Sequence, residues 1–201
     1  MKTLKAYLVL AAAAGALNAM FAGAANAKTI TFDGIDTGGS YTQIQNGYSG
    51  LNWNNFNAVS VNFVPGTGYQ YGVVSQPNGA FNGSGQDAQF SAPSGTFTLI
   101  SAYMTAAFQN EGVTVTGYIG ATPVYVRTAD ISHTTPTLET FNWTGLTSVN
   151  WSTFGQLHTQ MVLDNVTIDG LPGAPGPVPG VGVAALAAFA LVGLYTRARR
   201  A

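Results

Sequence analysis

Between Lys28 and Gly170 apolar and polar residues alternate in short runs rich in β-branched and aromatic side chains. A period of two is the signature of half-buried strands. It predicts strands at Thr29–Phe32, Val59–Val64, Tyr69–Val74, Ala88–Ser91, Phe97–Tyr103, Val113–Tyr118, Val124–Thr128, Leu138–Asn142, Ser148–Trp151 and Met161–Ile168. Gly, Pro, Asn and Ser punctuate them, as in Pro65-Gly66, Pro77-Asn78-Gly79, Asn82-Gly83 and Pro93-Ser94-Gly95. Short strands with regular turn signals and no capped helical period predict an all-β fold, a single jelly-roll-type β-sandwich over 28–170. The Asn-rich stretch Gln45–Asn57 reads as a long surface loop into which Leu51, Trp53 and Phe56 can tuck.

The two ends follow other patterns. Lys2 and Lys5 precede a mostly apolar, alanine-rich stretch from Leu8 to Met20, and Ala25-Asn26-Ala27 offers small residues to a peptidase. That order predicts a secretory signal peptide over 1–27 and a mature chain starting at Lys28. At the other end, Pro172, Pro175, Pro177 and Pro179 lie in a Pro/Gly linker over 171–180. Beyond it lies an apolar run from Val181 to Tyr195, then Arg197, Arg199 and Arg200, so 181–201 reads as a hydrophobic helix with a basic tail. Fifteen helical residues span ~23 Å, short for a permanent span of a hydrocarbon core of roughly 30 Å. The arginines favour keeping that end cytoplasmic, so export with a stalled tail and transient membrane insertion is the expectation.

A proline motif, a greasy helix and a terminal arginine cluster together resemble the PEP-CTERM sorting signal of Gram-negative bacteria. The motif here is Pro177-Val178-Pro179-Gly180, without the glutamate that names the family. The resemblance implies recognition by an exosortase-type membrane protease, and delivery to the cell surface, the extracellular matrix or a biofilm rich in exopolysaccharide. The stretch from about Thr96 to Asp169 is also similar to a recurrent domain of uncharacterised PEP-CTERM proteins, laid out like galactose-binding-like and carbohydrate-binding jelly rolls. No activity comes with that likeness.

Charge changes the picture of the body. All eight acidic residues lie in the body over 28–170, whereas only Lys28 and Arg127 among the seven basic residues do, which leaves the body at −6 with histidines neutral. An acidic domain without a basic patch has nothing with which to hold a phosphate backbone, so nucleic acid is not an expected partner. Solubility rests on Asn, Gln, Ser and Thr, as in secreted β-proteins that meet neutral polymers. The chain has no cysteine, which excludes thiol catalysis and cysteine metal sites.

Enzyme signatures are sparse, and the chain is read as not an enzyme. His133 and His158 have no zinc-hydrolase spacing, and Asn82-Gly83-Ser84-Gly85 reads as a turn instead of a nucleophile elbow. Paired carboxylates for an exported glycoside hydrolase would have to come from Glu111, Glu139 and the aspartates. Two non-catalytic sites are predicted. Asp33, after the first strand, and Asp164, in the last, are candidate ligands for a structural calcium ion, hard oxygens at what are often neighbouring strands; the other reading has both bonding backbone groups at a turn and a bulge. Tyr48 and Trp53 are candidates for stacking on sugar rings, while Trp143 and Trp151 read as core. The functional expectation is an exported, surface-sorted, non-catalytic matrix protein that binds extracellular polysaccharide. A structural or adhesive surface protein is the alternative, which a large exposed apolar patch would favour.

Overall fold

The computed structural model describes residues 27–155 and 159–171. The sorting residues Pro177, Val178, Pro179, Gly180, Arg197, Arg199 and Arg200, the signal segment and His158 lie outside the described residues. Among the described residues, no helix is long and apolar enough to cross a membrane.

Alternating burial draws the chain into twelve strands: β1 (Lys28–Ile30), β2 (Tyr41–Gln43), β3 (Asn52–Asn54), β4 (Phe56–Ser60), β5 (Asn78–Asn82), β6 (Ala88–Ser91), β7 (Phe97–Ala106), β8 (Glu111–Ile119), β9 (Thr122–Ile131), β10 (Thr137–Leu146), β11 (Ser148–Phe154) and β12 (Met161–Asp169). All pair antiparallel, in two sheets. One runs β10-β7-β12-β5-β4-β2, with β1 also against β12; the other runs β3-β6-β11-β8-β9. The inward side chains of both sheets form one apolar core, with Phe56, Met104 and Leu163 from the seven-stranded sheet and Phe90, Val115 and Trp151 from the five-stranded one. Phe141 meets Trp151 across it edge to face at 5.8 Å. Burying such a face on each sheet is the main stabilising term of a sandwich.

Four segments differ from the sequence expectation: the strand predicted at Val59–Val64 ends at Ser60, where a turn begins, and three others differ for a local reason. Tyr69–Val74 is not a strand: Thr67 accepts the Tyr69 N–H and caps a single helical turn, α1 (Gly68–Tyr71). Gly68 sits so close to the neighbouring strand that a Cβ there would lie 1.7 Å from the Ala106 carbonyl oxygen. Tyr69 thereby docks with Val59, Phe81, Ala107 and Val162 in a second apolar cluster outside the seven-stranded sheet. Pro77-Asn78-Gly79 is not simply punctuation, because Asn78 and Gly79 open the fully buried β5. Finally, Gln45–Asn57 is not one loop: it holds a 3₁₀ turn at Tyr48–Gly50, β3 and the start of β4.

Candidate functional site

The two aromatic candidates do not form an exposed platform. Trp53 is only 5% exposed, because β3 alternates Asn52 and Asn54 outward with Trp53 inward. Its indole N–H donates to the Tyr48 carbonyl at 2.9 Å, and its ring packs on Phe90, Phe56 and Phe32 at 5.3, 5.5 and 5.7 Å. Trp53 is a core residue, and its assignment to sugar stacking is corrected accordingly. Tyr48 is half-buried, stacked on Phe32 at 6.1 Å; burial first, then the Asp33 carboxylate, raises its hydroxyl above the usual tyrosine range. Trp151 is fully buried, and Trp143 is partly buried with its ring flat against Tyr125.

Asp33 and Asp164 are brought to the two ends of one short loop. Asp164 is completely buried where the β7 pairing of β12 shifts register, and Asn165 beside it takes a φ of 48°. Its carboxylate accepts the backbone N–H groups of Ser75 and Asn165, both at 2.7 Å, with the Ser75 hydroxyl at 3.2 Å. Asp33 accepts the Asn78 N–H at 3.3 Å. These are the contacts of anchors that fasten the loop Ser75–Asn78 to β12 and to the end of β1, with N–H groups aimed at the oxygens a cation would need. Among the described residues, no group of three or more His, Asp or Glu gathers around a metal-sized site. Despite its donors, burial pushes the Asp164 carboxyl up to about 6.

The glutamates are also separately employed. Glu139 forms an ion pair with Arg127, whose guanidinium also reaches the Thr140 carbonyl, tying the edge strands β9 and β10 together across the two sheets. Glu111 opens β8 at the end of the core, 6% exposed, with its Oε1 atom unpartnered among the described residues. Burial raises its carboxyl to about 7.

What sequence reasoning missed is the outward side of the five-stranded sheet. Register places Asn54 opposite Gln89, Gln89 opposite Asn150, Asn150 opposite Thr116 and Thr116 opposite Val126, so one row crosses all five strands. A second row runs from Asn52 through Ser91 and Ser148 to Tyr118. A third joins Ser152, Thr114 and Thr128, the last two linked by their hydroxyls at 3.2 Å. No residue of these rows is charged. The side chains of Asn54, Gln89 and Thr116 make no hydrogen bond to the described protein, and Asn150 makes one, to Asp87 at the rim at 3.2 Å. The buried amides behave oppositely: Asn82 donates to the Gln86 carbonyl and accepts the Met161 N–H, and Asn78 donates to the Ile35 carbonyl. The alternation Asn52-Trp53-Asn54 and Thr114-Val115-Thr116 carried this signal, but which strands are neighbours could not be read from it.

No family model matches the sequence, and no curated protein matches it. Among solved structures, the chain is similar to the Stig cyclase Fisc from Fischerella sp. TAU, with 12% identity over 72% of this chain and 98% of that one and a TM-score of 0.44. It is similar to the K1 cleaved adhesin domain of Lys-gingipain from Porphyromonas gingivalis W83, with 14% identity over 71% of this chain and 97% of that one and a TM-score of 0.41. A further likeness is to TmCBM61 in complex with β-1,4-galactotriose, with 10% identity over 64% of this chain and 97% of that one and a TM-score of 0.35.

Proposed function

We propose that this chain is an exported, surface-sorted, non-catalytic protein whose β-sandwich body binds uncharged polysaccharide of the extracellular matrix through the open side of its five-stranded sheet. In this reading the eight strands β5–β12 form a jelly roll, because β5-β12-β7-β10 and β6-β11-β8-β9 are the two four-stranded halves of that winding. One observation carries the proposal: amide and hydroxyl groups stand in rows with no charge among them, and the side chains of Asn54, Gln89 and Thr116 make no hydrogen bond among the described residues. Sugar hydroxyls are donors and acceptors at once, and side-chain amides and hydroxyls match both roles. The half-exposed Tyr118 ring at the margin adds an apolar surface for a sugar's C–H face. The signals at 1–27 and 171–201 supply export, recognition by an exosortase-type protease and delivery to the surface of a Gram-negative cell.

The test is electrophoresis of the full-length chain through gels containing neutral β-glucan, mannan, xylan or dextran, with acidic alginate for contrast. The detergent should carry no sugar headgroup, and each gel is run with calcium and again with a chelator. Retardation by at least one neutral polymer, and none by alginate, is expected. Retardation that survives the chelator leaves Asp33 and Asp164 as loop anchors; its loss would assign them a calcium ion. Free migration in every gel would sink the reading.

A second reading, adhesion to another protein, draws on exposed Ile119, Val124 and Val126, the last 66% exposed, beside the free edge of β9. Concentration-dependent association that V126K abolishes would select it.

A further inference from the structure

The rows have a direction as well as a chemistry, and this deepens the reading just proposed, on which it rests. The Asn54-Gln89-Asn150-Thr116-Val126 row runs perpendicular to the strands, one side chain from each of the five. Neighbouring strands lie about 4.8 Å apart, so the row is a nearly straight track of about 19 Å. An extended β-1,4-linked pyranose chain repeats at close to the same interval per sugar. A coiled α-linked chain does not present its hydroxyls along a straight line.

We infer that the face holds an extended, uncharged, β-1,4-linked glycan laid across the strands, one sugar per strand step, with about four sugars engaged. Asn54, Gln89, Asn150 and Thr116 bond successive sugars, and the parallel row ending at Tyr118 flanks the chain. Charge complementarity selects against acidic glycans. The face is neutral, the body around it is strongly acidic, and Asp87 stands at the rim within hydrogen-bonding distance of Asn150. An anionic polymer would be repelled with no cation in the rows to compensate, since Arg127 is engaged with Glu139 and Lys28 lies on β1 of the other sheet.

The experiment is titration calorimetry of the full-length chain with β-1,4-gluco- and β-1,4-manno-oligosaccharides of two to six sugars. The variants are Asn54→Ala, Asn150→Ala and Thr116→Val, with Thr144→Ala on the exposed side of β10 in the opposite sheet as control. For one or both series, affinity should climb with each added sugar to four or five and then level off. Each row variant should weaken the longest oligosaccharide roughly two- to tenfold, as the loss of one hydrogen bond does. Asn54 is exposed and its side chain makes no hydrogen bond to the described residues, so N54A keeps the test clear of folding defects. Equal affinity for two and six sugars, or unchanged affinity in all three row variants, would overturn the crosswise track while leaving polysaccharide binding in place. No binding of either series by a chain that neutral polymers do retard would overturn the β-1,4 assignment alone. Free migration in every gel defeats the broader reading first.

Discussion

The outer faces of the two sheets are built from the same alternation and end differently. Over the seven-stranded sheet, the segment Val61–Val74 folds back, and Tyr69, capped into α1, seals Val59, Phe81, Ala107 and Val162 beneath it. Over the five-stranded sheet no second apolar cluster forms among the described residues, and the outward rows are Asn, Gln, Ser and Thr up to Tyr118 and Val126 on β8 and β9. An antiparallel sheet can stay stable with one face in water, so the open face is free to be composed for something other than stability. Amides make the contrast sharpest. Asn78 and Asn82 are spent on backbone groups inside the fold, whereas the side chains of Asn54 and Gln89 bond nothing among the described residues.

The largest expected effect strikes the core both faces share. Trp53→Ala should cost about 3–5 kcal/mol, as removal of a buried large aromatic does, measured by denaturant unfolding. Any loss of glycan binding should then track the unfolded fraction; a folded W53A protein that has lost binding would restore Trp53 as a contact residue. Next comes the cover. Gly68→Ala forces a methyl against the Ala106 carbonyl and should cost about 1–3 kcal/mol, with proteolysis newly directed to Val61–Val74. Asn82→Ala leaves the buried Met161 N–H without its acceptor and should cost about 1–3 kcal/mol. By contrast, Asn54→Ala should move stability by no more than about 0.5 kcal/mol. Equal costs for the two asparagine variants would erase the distinction between spent and unspent amides.

A pH titration tests the closed parts of the molecule. Burial lifts the Asp164 carboxyl from 3.8 to about 6 and that of Glu111 from 4.5 to about 7. Each group holds its proton more tightly folded than unfolded. The stability it contributes is therefore complete below its unfolded value and is lost as pH rises through its folded value. The thermal midpoint should fall between roughly pH 4 and pH 7, and Glu111→Gln should flatten the upper part of that fall. A midpoint that rises over this window would show that both carboxylates are ionised and satisfied in the fold.

Much of the sandwich was legible in the sequence: seven of the ten predicted strands fall within β6 to β12, and an eighth overlaps β1. The errors arose where tertiary contacts override local signals. Pro77-Asn78-Gly79 spells a turn, yet Asn78 is satisfied by the Phe32 and Ile35 carbonyls and Gly79 fits where a Cβ would crowd Leu163 and Val73. Tyr69–Val74 has strand composition, but Thr67 and Gly68 turn it into a cover. Trp53 was misplaced because an Asn-rich stretch was weighed by composition, when its period of two already pointed that side chain inward. The open face was hidden for another reason: its rows join residues up to about a hundred positions apart, and only strand order reveals them.

The most direct test of the central claim is the affinity of the wild-type chain and of Asn150→Ala for an immobilised neutral polysaccharide that retards it, with thermal midpoints measured on the same samples. The account predicts a severalfold weaker affinity for N150A at an unchanged midpoint. Equal affinity for the two proteins, with both fully folded, would contradict the assignment of binding to the open face of the five-stranded sheet.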